Sequence, residues 1–309
     1  MIQYYKSVEL DKQKWDTCIQ LSKEPCIFAY SWYLDSVSKK WAGLVLNDYE
    51  AVFPIVFNTK FGIQYIYQPY FTRYFDVYSQ KNSSTGFKKE FLKAIPTIFK
   101  YAKFCLNQME HIEVKGYKTE QRKFQLLKLN EGYAQLQKNF SENTKRNIKK
   151  AVKENLRVEH SIQPNLIVKL FKETKGEELN VFKEEDYDKL LKLMLTCLEK
   201  KAGSTIAIYK QDELCAAAFF MHSDNRFVFL KSGVTEFGRR NGAMHLLIDH
   251  FIQEHAETEN ALDFGGSSVE TVARFYKSFG AKDYVYLQLE KASFFKPLKW
   301  IKSLKSKRV

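Results

Sequence analysis

The sequence has 309 residues, of which 45% are hydrophobic, so the chain can bury one large or two ordinary cores and is not a disordered protein. Lysine and arginine number 49 against 36 acidic residues, and the net charge of +13 favours nucleic acid, anionic lipid or phosphorylated substrates as partners. The five cysteines form no CxxC pair, which argues against a zinc site and a disulfide framework. The first residues lack the apolar segment of a signal peptide and no run is long enough to cross a bilayer, so we expect a cytoplasmic protein.

The first half of the chain predicts a strand, two helices and then a hairpin of two apolar runs joined at Asn47-Asp48. An aromatic-rich segment, 61–78, follows. Such segments are more often core or interface than an acceptor cleft or a base-stacking surface, and both uses stay open. Residues 86–105 have helical periodicity with Pro96 as a kink, and 111–117 and 123–130 read as strands.

A basic helix is predicted over residues 140–154, at the start of the second half. At 100° per residue its cationic side chains fall within an arc of about 140°; they are Lys145, Arg146, Lys149, Lys150 and Lys153. The opposite arc can pack against a core and holds Phe140, Thr144, Ile148, Ala151 and Val152. Five like charges repel one another unless an anion binds there, although a solvated surface face is the alternative.

The remainder of the second half interleaves strands and helices, which predicts a mixed α/β sheet with helices on its faces. Helices are expected at 164–176, 184–201, 241–257 and 269–280, and strands at 204–210, 214–222, 226–233, 260–266 and 284–290. We place a domain boundary near 129–138, which separates an N-terminal domain, 1–132, from a C-terminal domain, 133–309.

The order of elements over 204–290 is similar to the acetyltransferase (GNAT) fold. Together with the basic helix and the segment LDFGGSSVETVARFYKSFGA at 262–281, it resembles the Fem-type peptidyltransferases and their GNAT-like relatives. The resemblance extends over nearly the whole chain and implies two tandem GNAT-like domains. Each would have a mixed, largely antiparallel sheet flanked by helices, and the second would bind the donor.

This resemblance implies an acyltransferase that moves an acyl or aminoacyl group from acyl-CoA, such as acetyl-CoA, or from aminoacyl-tRNA to an amine. A small-molecule or peptide acceptor, for example a cell-wall or envelope precursor, would fit. The alternative is a non-catalytic double-GNAT module that binds RNA or an anionic membrane surface. The basic, aromatic tail at 291–309 is a candidate for peripheral membrane contact or a solubilising extension.

The resemblance also implies catalytic residues. Tyr276 matches the tyrosine that acyl-CoA-dependent GNAT enzymes place near the leaving thiolate, and a phenol can donate the required proton. Lys277 matches the family lysine that meets donor phosphate or carbonyl oxygen. The alternatives are a packed tyrosine and an exposed lysine, because the aromatic residues of this segment recur at helical spacing.

The resemblance further implies that the donor pyrophosphate binds at the start of the helix that EFGRRNGAM leads into, and helix N-termini do bind anions. The alternative is that Gly242 starts the helix with nothing bound. The candidate cofactor-binding residues are Arg239, Arg240, Asn241, Gly242 and Ala243, although Met244 departs from the family pattern. The candidate substrate-binding residues are Lys145, Arg146, Lys149, Asp263, Gly265 and Gly266. His245 and Asp249 lie one turn apart on a helix but are too few to hold a metal, so no metal is predicted.

Overall fold

The computed structural model of the chain describes residues 1–81, 84–109, 112–223, 225–265 and 270–292. It forms two compact units, one of Met1–Arg122 with the described residues from Val285 onward, the other of Lys123–Tyr284. Among the described residues no helix is both long and apolar enough to cross a membrane. The tail predicted to contact a membrane lies outside the described residues beyond Ala292.

The described residues of the first unit form a mixed sheet and three α-helices. Its strands are β1 (Ile2–Lys6), β2 (Trp41–Leu46), β3 (Ala51–Lys60), β4 (Ile63–Tyr67), β5 (Tyr78–Ser79) and β6 (Phe99–Leu106). Its helices are α1 (Lys12–Gln20), α2 (Ser31–Val37) and α3 (Thr85–Lys93). Two longer strands, β7 (Lys118–Lys128) and β13 (Lys282–Ala292), begin in one unit and end in the other.

The sheet of the first unit has the order β1-β2-β3-β4-β6-β13, with β5 beside β3. Among the described pairs of named strands in this unit, β4 and β6 pair in parallel and the others are antiparallel. The hairpin predicted at Asn47-Asp48 is confirmed, because Leu46 pairs with Ala51 across that turn. Trp15 of α1 is fully buried on this sheet, and its indole nitrogen donates to the Ala29 carbonyl at 2.9 Å.

Two predictions for the first half were wrong. The kinked helix expected over 86–105 is instead α3 followed by β6, because Pro96 lacks the N–H that continues a helix. β6 then buries Phe99 and Phe104 in the core. The strand expected at 111–117 is absent from its described residues 112–117. There the Tyr117 backbone amide donates to the Val114 carbonyl and Gly116 has a φ of +85°, which is a turn.

The second unit alternates helices and strands as predicted. Its helices are α4 (Tyr133–Lys138), α5 (Glu142–Lys153), α6 (Pro164–Phe171), α7 (Glu177–Leu179), α8 (Glu184–Glu199), α9 (Glu236–Arg240), α10 (Ala243–His255) and α11 (Glu270–Lys277). Its strands besides β7 and β13 are β8 (Arg157–His160), β9 (Gly203–Lys210), β10 (Glu213–Ser223), β11 (Arg226–Val234) and β12 (Ala261–Asp263).

The sheet of the second unit has the order β7-β12-β11-β10-β9-β8, and among its described strand pairs only β11 and β12 run parallel. The central strand β10 is covered on both faces. Phe220 stacks on Phe251 of α10 at 3.8 Å, whereas Phe219 lies near Gly203 and Cys197 on the α8 side. Successive side chains of a strand alternate between faces, which explains why β10 reads as a continuous apolar run.

The predicted fold class is therefore confirmed: each unit is a mixed, largely antiparallel sheet flanked by helices. The compact units divide the chain at 122/123 rather than 132/133, and the last strand returns to the first unit because Leu287–Ala292 pairs with β6. The functional domains 1–132 and 133–309 stay a prediction.

Replacing Gly43 by alanine should destabilise the first unit. An added Cβ would lie 2.3 Å from the ring of Trp15, which is fully buried and cannot retreat. Overpacking of this kind costs about 1–3 kcal/mol. Gly86→Ala is the matched control, since nothing lies within 4 Å of a Cβ there and alanine favours a helix. Urea unfolding should show a loss for Gly43→Ala and none for Gly86→Ala; equal stability would contradict this account of the core.

Candidate functional site

The parallel pairing of β11 and β12 is short. It covers Arg226–Val228 against Ala261–Asp263, while β11 continues to Val234. We call the region just beyond Val228 and Asp263 the strand fork. The register with β10 also changes here, from Phe229 opposite Phe220 to Lys231 opposite Phe219, so Leu230 is an extra, bulged residue. Bulges of this kind are common next to active sites because they redirect the strand.

Tyr276 lies at the strand fork. Its ring stacks on Phe264 with centroids 4.8 Å apart and meets Phe229 edge-on at 6.1 Å. These two phenylalanines are the first residues beyond the last paired positions of β12 and β11. The Tyr276 ring therefore packs on the core, as the alternative of a packed tyrosine predicted. The same packing brings Tyr276 to the strand fork. Its catalytic role stays a prediction.

Lys277 points away from this aromatic cluster. Its ammonium pairs with the Asp283 carboxylate at 2.7 Å, and its side chain remains 46% exposed. A hydrogen bond from the Gln125 amide has the largest effect in lowering the pKa of Asp283, and the hydrogen bond from Lys277 is second. The predicted catalytic lysine is therefore engaged in a partly exposed ion pair, an interaction that is weak enough in water to be exchanged for a ligand.

Asp263 ends β12 and is fully buried. Its carboxylate accepts the Gly265 amide at 3.0 Å and lies 3.6 Å from the Arg226 guanidinium. Gly265 has a φ of +85°, a conformation that suits glycine in the turn after the strand. Both residues therefore shape the base of the strand fork. Gly266, the third predicted substrate residue of this segment, lies outside the described residues.

The residues predicted to bind the cofactor form the turn between α9 and α10. Gly242 has a φ of +75°, and a Cβ added there would lie 2.3 Å from the Asn147 carbonyl of α5. Backbone geometry and close packing both require this glycine, without any ligand. No side chain of the described residues caps the start of α10, where Ala243 is buried. The first amides of α10 thus keep the anion-binding character of a helix N-terminus.

The basic face of α5 adjoins this turn. The Lys150 ammonium donates to the Arg240 carbonyl at 2.8 Å, so the structure brings together two sets of residues that the sequence singled out separately. Arg240 also pairs with Glu236. Arg239 is exposed, and its charge helps to lower the pKa of Glu178, after the larger effect of Lys175.

The charges of α5 are not equally available. Lys145 pairs with Glu142 at 2.9 Å, whereas Arg146, Lys149 and Lys153 are exposed and form no hydrogen bond or ion pair within the described parts of the chain. The buried face of the helix is as predicted, except that Val152 is 60% exposed. The helical wheel explains this, because Val152 lies at the border of the apolar arc beside Lys145.

One candidate residue was not found from the sequence. The Lys231 ammonium, on β11 beyond the last pair with β12, lies 4.8 Å from the Phe171 ring centroid and 5.3 Å from that of Phe182. Loss of hydration lowers the pKa of Lys231 to about 8. The only signal in the sequence was a lysine in the otherwise apolar run RFVFLK. This pattern is equally typical of an ordinary lysine at the end of a strand.

His245 and Asp249 make separate contacts on α10. His245 packs on Phe275 with ring centroids 5.0 Å apart, and burial lowers its pKa to about 4. Asp249 accepts a hydrogen bond from the Tyr133 hydroxyl at 2.8 Å, and burial raises the pKa of this carboxyl. Neither residue therefore belongs to the strand fork by its contacts.

Residues 138–284, which lie within the second unit, match a family model described as an acetyltransferase (GNAT) domain. The predicted resemblance is thus confirmed: residues 138–284 resemble GNAT domains, and the likeness to Fem-type proteins is one of fold. No curated protein sequence matches the chain.

Solved structures extend the similarity of fold beyond that domain. FemX superposes with a TM-score of 0.66 at 12% identity, over 94% of this chain and 98% of that one. L-PGS from Bacillus licheniformis superposes at 0.57 and 12% identity, over 96% of each chain. A tandem GNAT protein from the clavulanic acid biosynthesis pathway superposes at 0.52 and 8% identity, over 94% and 98%. At these identities the similarity is one of fold.

The partly buried imidazole of His245 should make folding stability depend on pH. Its folded pKa is about 4, below its usual value of 6.5, so the unfolded chain takes up a proton first as the pH falls between these values. The favourable contribution of neutral His245 is present above 6.5 and is lost towards pH 4. His245→Gln should make the plot of unfolding free energy against pH shallower by up to about 1.4 kcal/mol per unit in this window.

The slope is the informative quantity, because the packing lost in His245→Gln lowers the free energy of unfolding similarly at every pH. Urea unfolding at a series of pH values between 4 and 7 measures it. Parallel curves for the wild type and the variant would show that His245 titrates normally in the folded protein.

Proposed function

We propose that the protein is an acyltransferase that moves an acyl or aminoacyl group from a phosphate-bearing donor, aminoacyl-tRNA or acyl-CoA, to an amine acceptor. The observation that carries this proposal is the joining of the α5 basic face to the turn before α10 through Lys150 and Arg240, in the unit that also contains the strand fork and matches a GNAT domain model. A cytoplasmic location, where both donors occur, is part of the proposal.

The distribution of charge favours the longer donor. Arg146, Lys149 and Lys153 span about 10 Å along α5 at a rise of 1.5 Å per residue, and none forms a hydrogen bond or ion pair within the described residues. A pyrophosphate is satisfied by the first amides of α10 and one or two cations. A nucleic-acid backbone uses a row of cations, so we propose aminoacyl-tRNA as the donor that this surface suits best.

The reaction requires an unprotonated amine that attacks the donor carbonyl, stabilisation of the oxyanion, and a proton for the leaving oxygen or sulfur. Backbone N–H groups at the bulge around Leu230 are candidates for the oxyanion contact. The Tyr276 hydroxyl is the candidate proton donor. Lys231, with its lowered pKa, is a candidate to accept a proton from the amine at neutral pH. Lys277 would meet donor oxygen after leaving Asp283.

Tyr276→Phe tests the catalytic assignment. The change keeps the ring that stacks on Phe264 and removes only the hydroxyl, so folding and donor affinity should stay near those of the wild type. Loss of a general acid typically lowers turnover by 10²-fold or more, roughly. Turnover is measured by screening acyl-CoA and aminoacyl-tRNA donors with amine acceptors. Tyr209→Phe, on β9, is the matched control and should retain full activity.

Unchanged turnover in Tyr276→Phe would assign the tyrosine to packing alone. Donor binding by the wild type without turnover for any donor would instead support the non-catalytic alternative, a double-GNAT module that binds RNA.

The α5 surface is tested by replacing Arg146, Lys149 and Lys153 with glutamine, which keeps helix propensity and removes three unpaired charges. Each phosphate contact contributes about 0.7–0.9 to the slope of log affinity against log salt. Binding to tRNA should therefore weaken, and the slope should fall by about 2–3. Binding of acyl-CoA should change little.

A control triple removes the same charge elsewhere in the second unit: Lys192, Lys200 and Lys201, all exposed, are replaced by glutamine. It should leave both the affinity and the slope near those of the wild type. If the two triple variants lose tRNA affinity equally, the effect is one of net charge and α5 is an ordinary solvated face.

A further inference from the structure

Three side chains from two elements converge on one point at the edge of the second unit. The Nε2 atoms of His160 and His250 are 3.1 Å apart. A Glu254 carboxylate oxygen lies 3.3 Å from the first and 3.4 Å from the second. His160 is the last residue of β8, and the other two residues lie one turn apart on α10. Two imidazoles and a carboxylate are a preferred ligand set for zinc.

The spacing matches what a metal ion requires. Ligand atoms about 2.0–2.1 Å from a tetrahedral ion lie about 3.3–3.4 Å from one another, and the three distances here are 3.1, 3.3 and 3.4 Å. All three donor atoms lie within 4.8 Å of each other. The side chain of His160 is 46% exposed, that of His250 28% and that of Glu254 37%. An ion can therefore enter from solvent, and a water molecule can complete its coordination.

We propose that His160, His250 and Glu254 form a binding site for a divalent transition metal ion of the zinc type. The prediction of no metal, made from the sequence, considered His245 and Asp249, which are on the same helix but at other positions. The site joins β8 to α10, and β8 is a four-residue edge strand that pairs only with β9 among the described strands. A metal there would fix the end of this short strand.

The site is separate from the proposed donor surface. His250 and Glu254 lie seven and eleven residues after Ala243, roughly 10–16 Å along α10 from its first amides. The metal is therefore assigned a stabilising role, and the proposal does not depend on the proposed acyltransferase function.

The test uses the full-length protein without a histidine tag, after dialysis against chelator and return to chelator-free buffer. Zn²⁺ is titrated by calorimetry, and Co²⁺ is titrated separately because its visible absorption reports imidazole and carboxylate coordination. One ion should bind per chain, and Zn²⁺ should raise the apparent melting temperature because it binds the folded state. Absence of saturable binding at micromolar metal would overturn the proposal.

The variants His160→Gln, His250→Gln and Glu254→Gln each remove one ligand, and affinity should fall by at least about tenfold in each. Glu259→Gln, an exposed glutamate beyond α10, is the matched control and should bind as the wild type does. Circular dichroism of the metal-free proteins establishes folding, and the three ligands lie on two elements, so one misfolded variant leaves the others informative. Wild-type affinity in the folded ligand variants would place the metal elsewhere and overturn the assignment.

Discussion

The contact between α5 and the turn before α10 is the constraint on which the candidate site depends. Gly242 has no room for a Cβ against the Asn147 carbonyl of α5. Lys150, also on α5, donates a hydrogen bond to the Arg240 carbonyl. Thr144, Ile148 and Ala151 take the buried face of α5, and from its cationic face Lys150 reaches the turn before α10. The cations of α5 and the N-terminal amides of α10 thus concentrate positive charge at the turn before α10, and a bound anion would stabilise this arrangement.

The strand fork supplies the complementary apolar surface. Pairing of β11 with β12 stops at Val228 and Asp263, and the buried Asp263 carboxylate holds the following turn through the Gly265 amide. The ring of Tyr276 then packs on Phe264. Core packing and site formation use the same aromatic side chains, so periodic aromatics in α11 were compatible with either role. The Tyr276 hydroxyl, and not its ring, distinguishes a catalytic role from a packing role.

Local patterns predicted most of the elements and failed where one pattern fits two structures. The run at 86–105 has helical periodicity, yet Phe99 and Phe104 are buried on a strand after Pro96. Periodicity alone could not choose, because an alternating apolar run of eight residues also satisfies much of a helical repeat. The two residue sets around Lys150 and Arg240 were both identified, whereas their proximity could not be, since they are 90 positions apart in the chain.

The sequence by itself determined the class of fold, through the order of its elements, and the basic face and most of the buried face of α5, through the periodicity within that helix. Only the tertiary structure decided which faces meet. It paired Lys277 with Asp283 and brought His160 to His250 and Glu254. It also left Arg146 and Lys149 without a hydrogen bond or ion pair in the described residues. Such contacts depend on how distant elements pack, and residue spacing within an element carries no information about its distant neighbours.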